Sequence, residues 1–386
     1  MQTLCPLSPE FDCEVAVVGG GPVGLLLANL LGQAGIRVLV LEKRADPPGS
    51  SQAIGITPPS LGIVATLGLA DAFVDQGVPI RDVFVHGDGG LVGCCSFRTI
   101  PGEHPFVLSL PQRLSMALLG GNLAKHATVR LVRDTEVVDL TQHGHGVALA
   151  LHQGGLVTAK YAVACDGHRS TMRDLIAVQT STRTYACHFV MGDFTGQSGM
   201  GDDGHVFFTA GGAVESFPLP QGLRRWIVQT SGPVEQIPPG LIPTLVQQRT
   251  GILLDPCCQI NQTWFTPRRL DCDSYVRHRL ILCGDAAHVM SPIGGQGMNV
   301  GFADAAHLAH ALLEILQRKG DAKTLLATYE RERRKAARIA ATRAAAGMWL
   351  GTRRGHFTSQ MRALVIREIL LGFMGEEVSQ HYAMMR

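Results

Sequence analysis

Two junctions at which an apolar strand runs through a glycine-rich turn into a helix lie some 265 residues apart, at Gly19 and Gly284. Any fold of this chain has to bring both to one extended ligand. The first is Gly19-Gly20-Gly21-Pro22-Val23-Gly24, a G-x-G-x-x-G that follows the strand pattern Glu14–Val18 and opens the apolar helical stretch Pro22–Gln33. A second strand pattern, Ile36–Leu41, ends in Glu42, eighteen residues after Gly24 and followed by Lys43 and Arg44. This is a βαβ unit with nucleotide-binding chemistry. Gly19 permits the tight turn, Gly21 the approach of a pyrophosphate and Gly24 close helix–strand packing, while Glu42 can hold a ribose diol. Spacing alone says little: Gly199-Met200-Gly201-Asp202-Asp203-Gly204 fits the same pattern with no strong strand before it and no helix after it, and reads as a loop.

At the second junction Leu280–Cys283 reads as a buried strand, and Asp285 beyond it can accept from a ribitol or ribose hydroxyl. Gly294, Gly295 and Gly297 let the backbone approach a flat ring system. The helix expected from about Met298 points its positive end at that ring. Between the two junctions, the strand Tyr161–Ala164 leads into Cys165-Asp166-Gly167-His168-Arg169-Ser170-Thr171-Met172-Arg173, which by itself reads equally as a turn or as a site. Pro111-Gln112-Arg113 opens a further helix, expected over Gln112–His126, where Gln112 or Arg113 can reach a phosphate or a ring edge.

The 386 residues, 46% of them apolar, suffice for two joined lobes and a tail. Val78–Leu110 and 185–230 have the short, turn-broken strands of an antiparallel sheet, so the second lobe is discontinuous in sequence. Ala303–Gln317, Thr324–Arg343 and Gln360–Gly372 are expected to be helical. The 34 basic and 32 acidic side chains form no dense basic block beside aromatics, which disfavours nucleic acid as a partner. The ten cysteines contain no Cys-x-x-Cys; they read as reduced thiols of a cytoplasmic protein with no metal site. Neither a leader at Met1–Cys13 nor an apolar run of about eighteen residues is visible. The Met361, Met374, Met384 and Met385 ending reads either as packing on its own domain or as a surface for a partner or membrane.

In order and spacing, Gly19–Gly24, Asp166–Arg173 and Gly284–Asn299, with Tyr329-Glu330-Arg331-Glu332-Arg333 after them, resemble the class A FAD-dependent aromatic hydroxylases of the para-hydroxybenzoate hydroxylase type. The likeness covers about residues 13–345 and is to the compact branch of ubiquinone-biosynthesis and natural-product tailoring hydroxylases. It implies an α/β fold: a Rossmann-like, glutathione-reductase-type FAD-binding domain (1–77, 106–177, 268–345), an inserted mixed or antiparallel substrate domain (78–105, 178–267) and a helical tail (346–386). It further implies a monooxygenase that uses non-covalent FAD, NADH or NADPH, and O2, through a flavin C4a-hydroperoxide, to hydroxylate an aromatic or electron-rich small molecule as a monomer or homodimer. Carried over by motif, Gly19, Gly21, Pro22, Val23 and Gly24 face the FAD pyrophosphate. Glu42, with Lys43 and Arg44, lies at the adenosine ribose, Gln112 near the ribityl or pyrophosphate, and Asp166 and Gly167 between FAD and the nicotinamide cofactor. Gly284 and Asp285 meet the ribityl chain, Gly295, Gly297, Met298 and Asn299 the pyrimidine edge, and Pro292 the flavin C4a. Where many relatives have Arg-Ala, this chain has Gln52-Ala53.

Oxygen chemistry at C4a needs a dry pocket. Phe207, Phe217 and Trp226 are its candidate walls. No tyrosine falls within 205–230 to draw off a phenolic proton, which leaves His205 as the candidate catalytic base. His288 is expected to make a structural hydrogen bond. Two alternatives share the cofactor fold: an alkene reductase similar to geranylgeranyl reductases, and a non-catalytic flavoprotein partner in a biosynthetic complex.

Overall fold

The structure is a computed structural model that describes residues 11–47, 53–196, 199–234, 236–292, 295–371 and 375–385. Gly294 and Gln52 lie outside them. In chain order, β1 (Cys13–Val18), α1 (Pro22–Gln33) and β2 (Val38–Leu41) open the first lobe, and β3 (Asp82–Gly87) and β4 (Gly90–Ser96) leave it. The chain returns with α2 (Gln112–Asn122), β5 (Val129–Val132) and β6 (Leu156–Ala164). It leaves again through β7 (His188–Thr195), β8 (Gly204–Thr209), β9 (Gly212–Leu219), β10 (Leu223–Thr230), α3 (Leu241–Thr250) and β11 (Gln259–Phe265). Then β12 (Leu280–Leu282), α4 (Gln296–Gln317) and α5 (Ala322–Gly351) complete the first lobe, and α6 (His356–Leu371) and α7 (Gly375–Tyr382) end the chain.

The first lobe is built on a sheet whose strands run β12, β6, β1, β2, β5, all parallel to one another. Parallel strands are covered on both faces, so a run such as Val15-Ala16-Val17 is wholly buried. Pro22 pre-sets the first turn of α1, and Leu25, Leu26 and Leu27 are all buried because the helix lies between the sheet and α4. The register pairs Val18 with Ala164 and Ala164 with Leu282, which brings the turns after β1, β6 and β12 side by side. Three sequence segments more than a hundred residues apart thus form one edge.

The second sheet runs β11, β7, β10, β9, β8, β3, β4, antiparallel except where β8 meets β3. Its two faces differ in what covers them. Val190, Phe194, Phe207, Val214, Trp226 and Val228 pack against Ile242 and Val246 of α3. By strand alternation Phe189, Glu215, Phe217, Ile227 and Phe265 turn the other way, toward Pro292 of the first lobe.

The helices are longer than the spacing predicts. The helix expected from about Met298 begins at Gln296, and α5 runs unbroken through residue 346, capped at its start by Asp321, whose Oδ2 accepts from Thr324 N at 3.2 Å. The tail proper therefore starts at Thr352. Its end bridges the lobes: Ala383 is buried with Cys95, Phe97 and Ile100, while Met384 packs on Met290, Val300 and three alanines of α5.

Candidate dinucleotide and substrate site

At the β1–α1 turn the three motif glycines do different work. A Cβ on Gly19, whose φ is +109°, would meet Cys165 O at 2.4 Å, and one on Gly24 would meet Gly19 O at 2.1 Å. Both are packing glycines. A Cβ on Gly21 would meet no protein atom within 4 Å, so this glycine fronts open space at the N-terminus of α1. There the unpaired N–H groups of Val23 and Gly24 face outward. Glu42 is held in place at the end of β2: Oε2 accepts from Gly20 N at 2.7 Å and Oε1 from Arg44 N at 2.9 Å, with a lone pair on each oxygen left for a diol. Lys43 is turned toward Glu136, 3.9 Å away, and Arg44 is exposed.

Asp166 follows β6. Its Oδ2 accepts from Met172 N at 3.1 Å, while Oδ1 is buried with no hydrogen-bond partner, and burial raises its pKa. Gly167 beside it takes a left-handed φ of +81°. After β12, Gly284 (φ +63°) lies against Val23, and Asp285 projects from a deep setting into solvent. Burial raises the pKa of Asp285, with His288 and His168 acting in the opposite direction.

Behind this edge His288 Nε2 lies 2.6 Å from Asp304 Oδ2, and Asp304 also accepts from Arg333 Nε at 2.6 Å and from Gly284 N at 3.2 Å. His288 is thus a structural partner, as its motif position leads one to expect. An open cradle over Gly21, an unsatisfied Asp166 oxygen and an outward Asp285 are the acceptors and space that a flavin dinucleotide needs, so the residues fit FAD.

At the other end, Gly295 (φ +63°) caps α4 and donates to Pro292 O at 2.8 Å, leaving the N–H groups of Gln296, Gly297 and Met298 without intrahelical acceptors. Asn299 differs from expectation. Its Oδ1 accepts from Thr57 N at 3.0 Å, and its Nδ2 donates to Gly55 O at 3.0 Å and Gly295 O at 2.8 Å. The side chain clamps two backbone segments together beside the open N–H groups of this helix start. Gln112 N donates to Ala53 O at 3.1 Å, which ties the start of α2 to the same segment.

Phe189, Glu215, Ile227, Phe265 and Pro292 line a narrow cavity of about 20 Å³ between the lobes, partly open to solvent. Of the three expected walls, Phe217 lies on this face of the sheet, two residues beyond Glu215. Phe207 and Trp226 do not. They sit on the opposite face in the α3 core, because the alternation that turns Glu215 and Ile227 to Pro292 turns Val214 and Trp226 away. His205 is corrected for the same reason. It pairs with Ser216, stacks on Phe84, His86 and Phe207, and has Nδ1 3.0 Å from His86 Nε2. Burial, with Arg224 and His86, pushes its pKa down to about 4.

Sequence reasoning missed Glu215, Phe189, Ile227 and Phe265. The one available signal was a carboxylate in strict alternation within an apolar strand, Val214-Glu215-Ser216-Phe217.

A family model described as "FAD binding domain" matches residues 12–344. The chain belongs to this FAD-binding family. Among curated proteins it is 31% identical over 332 residues to rifampicin monooxygenase of Streptomyces venezuelae, covering 83% of this chain and 68% of that one. It is 31% identical to 6-methylpretetramide 4-monooxygenase of Streptomyces rimosus over 345 residues, covering 85% of this chain and 60% of the relative. The chain thus spans about two thirds or less of the length of these relatives. Among solved structures, p-nitrophenol 4-monooxygenase from Pseudomonas putida superposes with a TM-score of 0.86 at 24% identity, over 96% of this chain and 97% of that one, which shows a shared fold.

Proposed function

We propose that this protein is an FAD-dependent monooxygenase that uses NADH or NADPH and O2 to hydroxylate an aromatic ring. The observation that carries this reading is the apolar cavity beside Pro292, set between the glycine-rich start of α4 and the inner face of the second sheet. FAD, when bound, supplies the electron transfer and oxygen activation. The chain supplies the surroundings. The N-terminus of α4 favours negative charge on a ring at Gln296–Met298. Phe189, Ile227 and Phe265 exclude water from the reacting centre. Asp166, with its free oxygen, holds the hinge between dinucleotide and reductant.

Among the described residues no helix is long and apolar enough to cross a membrane, and every described cysteine is free. Free thiols support a cytoplasmic setting, and we expect a monomer or homodimer.

The test is turnover of a panel of phenols and fused-ring aromatics by FAD-loaded protein under labelled dioxygen. Expected is substrate-stimulated NAD(P)H oxidation and one labelled oxygen atom per product. Product that gains only hydrogen establishes an alkene reductase instead, and FAD that NAD(P)H never reduces establishes a non-catalytic flavoprotein.

A further inference from the structure

The cavity beside Pro292 holds one ionisable side chain among its described lining residues, Glu215, and the sequence offers no tyrosine on these strands to take a proton from substrate. We propose that Glu215 receives the proton of a ring hydroxyl or amino group, so that the cavity binds an uncharged, hydrogen-bond-donating arene and turns ring carboxylates away. This rests on the monooxygenase reading above and names the substrate chemistry of its site.

Placement carries the argument. Glu215 lies at the middle of β9, paired across to Val206 and Ile227, and its side chain leaves the sheet on the face turned to Pro292. The neighbours that line the cavity with it, Phe189, Ile227, Phe265 and Pro292, offer neither a hydrogen bond from a side chain nor a charge. Farther along the same face Arg225 is engaged by Asp193 through Nε–Oδ1 at 2.7 Å and Nη2–Oδ2 at 2.9 Å, an ion pair that neutralises itself. At the end of the last helix, the negative charge of Glu215 acts on the Tyr382 phenol. Burial, Cys95 and Glu215 together raise the pKa of that phenol and keep it protonated.

A carboxylate so placed is costly to charge, and burial pushes its pKa up to about 7. A value near neutrality suits a general base, which has to be ionised at rest and still hold a proton once it has it.

In the step itself the substrate O–H bond breaks and its electron pair stays on the ring oxygen. Glu215 takes the proton and becomes a neutral carboxylic acid, so the negative charge passes from protein to ring with no net change. After oxygen is inserted, the ring carbon loses its hydrogen as a proton, which goes to the oxide left by the oxygen donor, and the ring oxygen regains one from Glu215. The residue ends as it began. A substrate carboxylate at this position would instead set two negative charges together in a low-dielectric pocket.

FAD-loaded wild type, Glu215→Gln and Glu215→Asp are compared in binding and turnover. The binding probe is 4-nitrophenol at about pH 8, where the free compound is largely the yellow anion. Wild type is expected to bind it with uptake of close to one proton per complex, because the ring oxygen and Glu215 together hold one proton and one negative charge. Glu215→Gln is expected to bind the anion with no proton uptake and at least tenfold more tightly.

With an un-ionised phenol, wild-type kcat/KM is expected to rise with pH through about 7. Glu215→Gln loses that limb and 10²–10⁴-fold in hydroxylation, and Glu215→Asp restores part of it. Equal affinity, proton uptake and rate in wild type and Glu215→Gln overturn the proposal. Should the glutamine variant not fold, a wild-type profile with no limb near pH 7 overturns it alone. If wild type binds no arene and oxidises no NAD(P)H with any, the monooxygenase reading fails first and Glu215 falls with it.

Discussion

His288 Nε2 and Asp304 Oδ2 stand 2.6 Å apart with both side chains buried, and the same Asp304 oxygen accepts from Gly284 N, the residue that starts the second glycine-rich turn. The ion pair therefore fixes the backbone from which Asp285 projects. Burial works against both charges. The charge of Asp304 overrides it and raises the pKa of His288, while His288 and Arg333 lower that of Asp304. Asp304→Asn leaves a buried imidazolium and Arg333 without their counter-charge. We expect it to cost about 3–5 kcal/mol in urea unfolding and to weaken FAD retention, read by flavin absorbance.

The pH signs differ for the two partners. The part due to Asp304 is present above its ordinary pKa of about 3.9 and is lost as pH falls through its depressed value. The part due to His288 is full below about 6.5 and lost as pH rises through its raised value. Wild-type stability should therefore fall at both extremes more steeply than that of Asp304→Asn, and equal slopes would contradict the pair's charged state.

Gly24 and Gly21 separate packing from binding. A side chain at Gly24 collides with the carbonyl of Gly19, so Gly24→Val should lower the melting temperature of the apoprotein and abolish FAD uptake. At Gly21 an added methyl meets only open space. Gly21→Ala should melt like wild type without FAD and bind FAD at least tenfold more weakly, because the methyl occupies the space of the pyrophosphate. Isothermal titration gives the answer, and wild-type affinity in Gly21→Ala would move the cofactor away from this turn.

These glycines also show how far the sequence was readable. The βαβ unit, Asp166, Gly284 and Asp285 were legible because local physics leaves a local trace: strand periodicity, a turn glycine and an acid at a strand end. The parallel order β12, β6, β1, β2 then brings those turns together through pairings that no local pattern records. Asn299 was placed at this helix start, but its side-chain partners Gly55 and Thr57 lie more than two hundred residues away and leave no local trace. The substrate face was not legible for a related reason. Alternation tells that Glu215 and Trp226 point to opposite sides of the sheet, but which side α3 covers is decided by tertiary packing.

His205 gives the third prediction. Burial, Arg224 and His86 hold its pKa near 4, so folding favours the neutral imidazole. A histidine with a depressed value contributes stability that is full above about 6.5 and lost as pH falls from there toward 4. His205→Gln should flatten the acid side of the stability profile between those limits. It should leave the pH dependence of hydroxylation as in wild type, because the ring lies on the α3 side of the sheet. A shifted pH–rate profile would return His205 to the mechanism.

The chain's end gives the fourth. Met384 packs on Met290 and Val300 of the first lobe and on Ala337, Ala340 and Ala341 of α5, while Ala383 is buried among Cys95, Phe97 and Ile100 of the second. The end of the chain thus touches both lobes at their boundary. Water admitted there would divert reducing equivalents to hydrogen peroxide. Deleting residues 375–386 should leave FAD affinity within about twofold, since no dinucleotide residue touches this segment, and should raise peroxide formed per NAD(P)H several-fold at the expense of hydroxylated product. Replacing Met384 with Ser, which keeps the helix and loosens only its seat on Met290, should give a smaller change in the same direction. Unchanged peroxide yield in both variants would mean that the cavity is sealed without the tail.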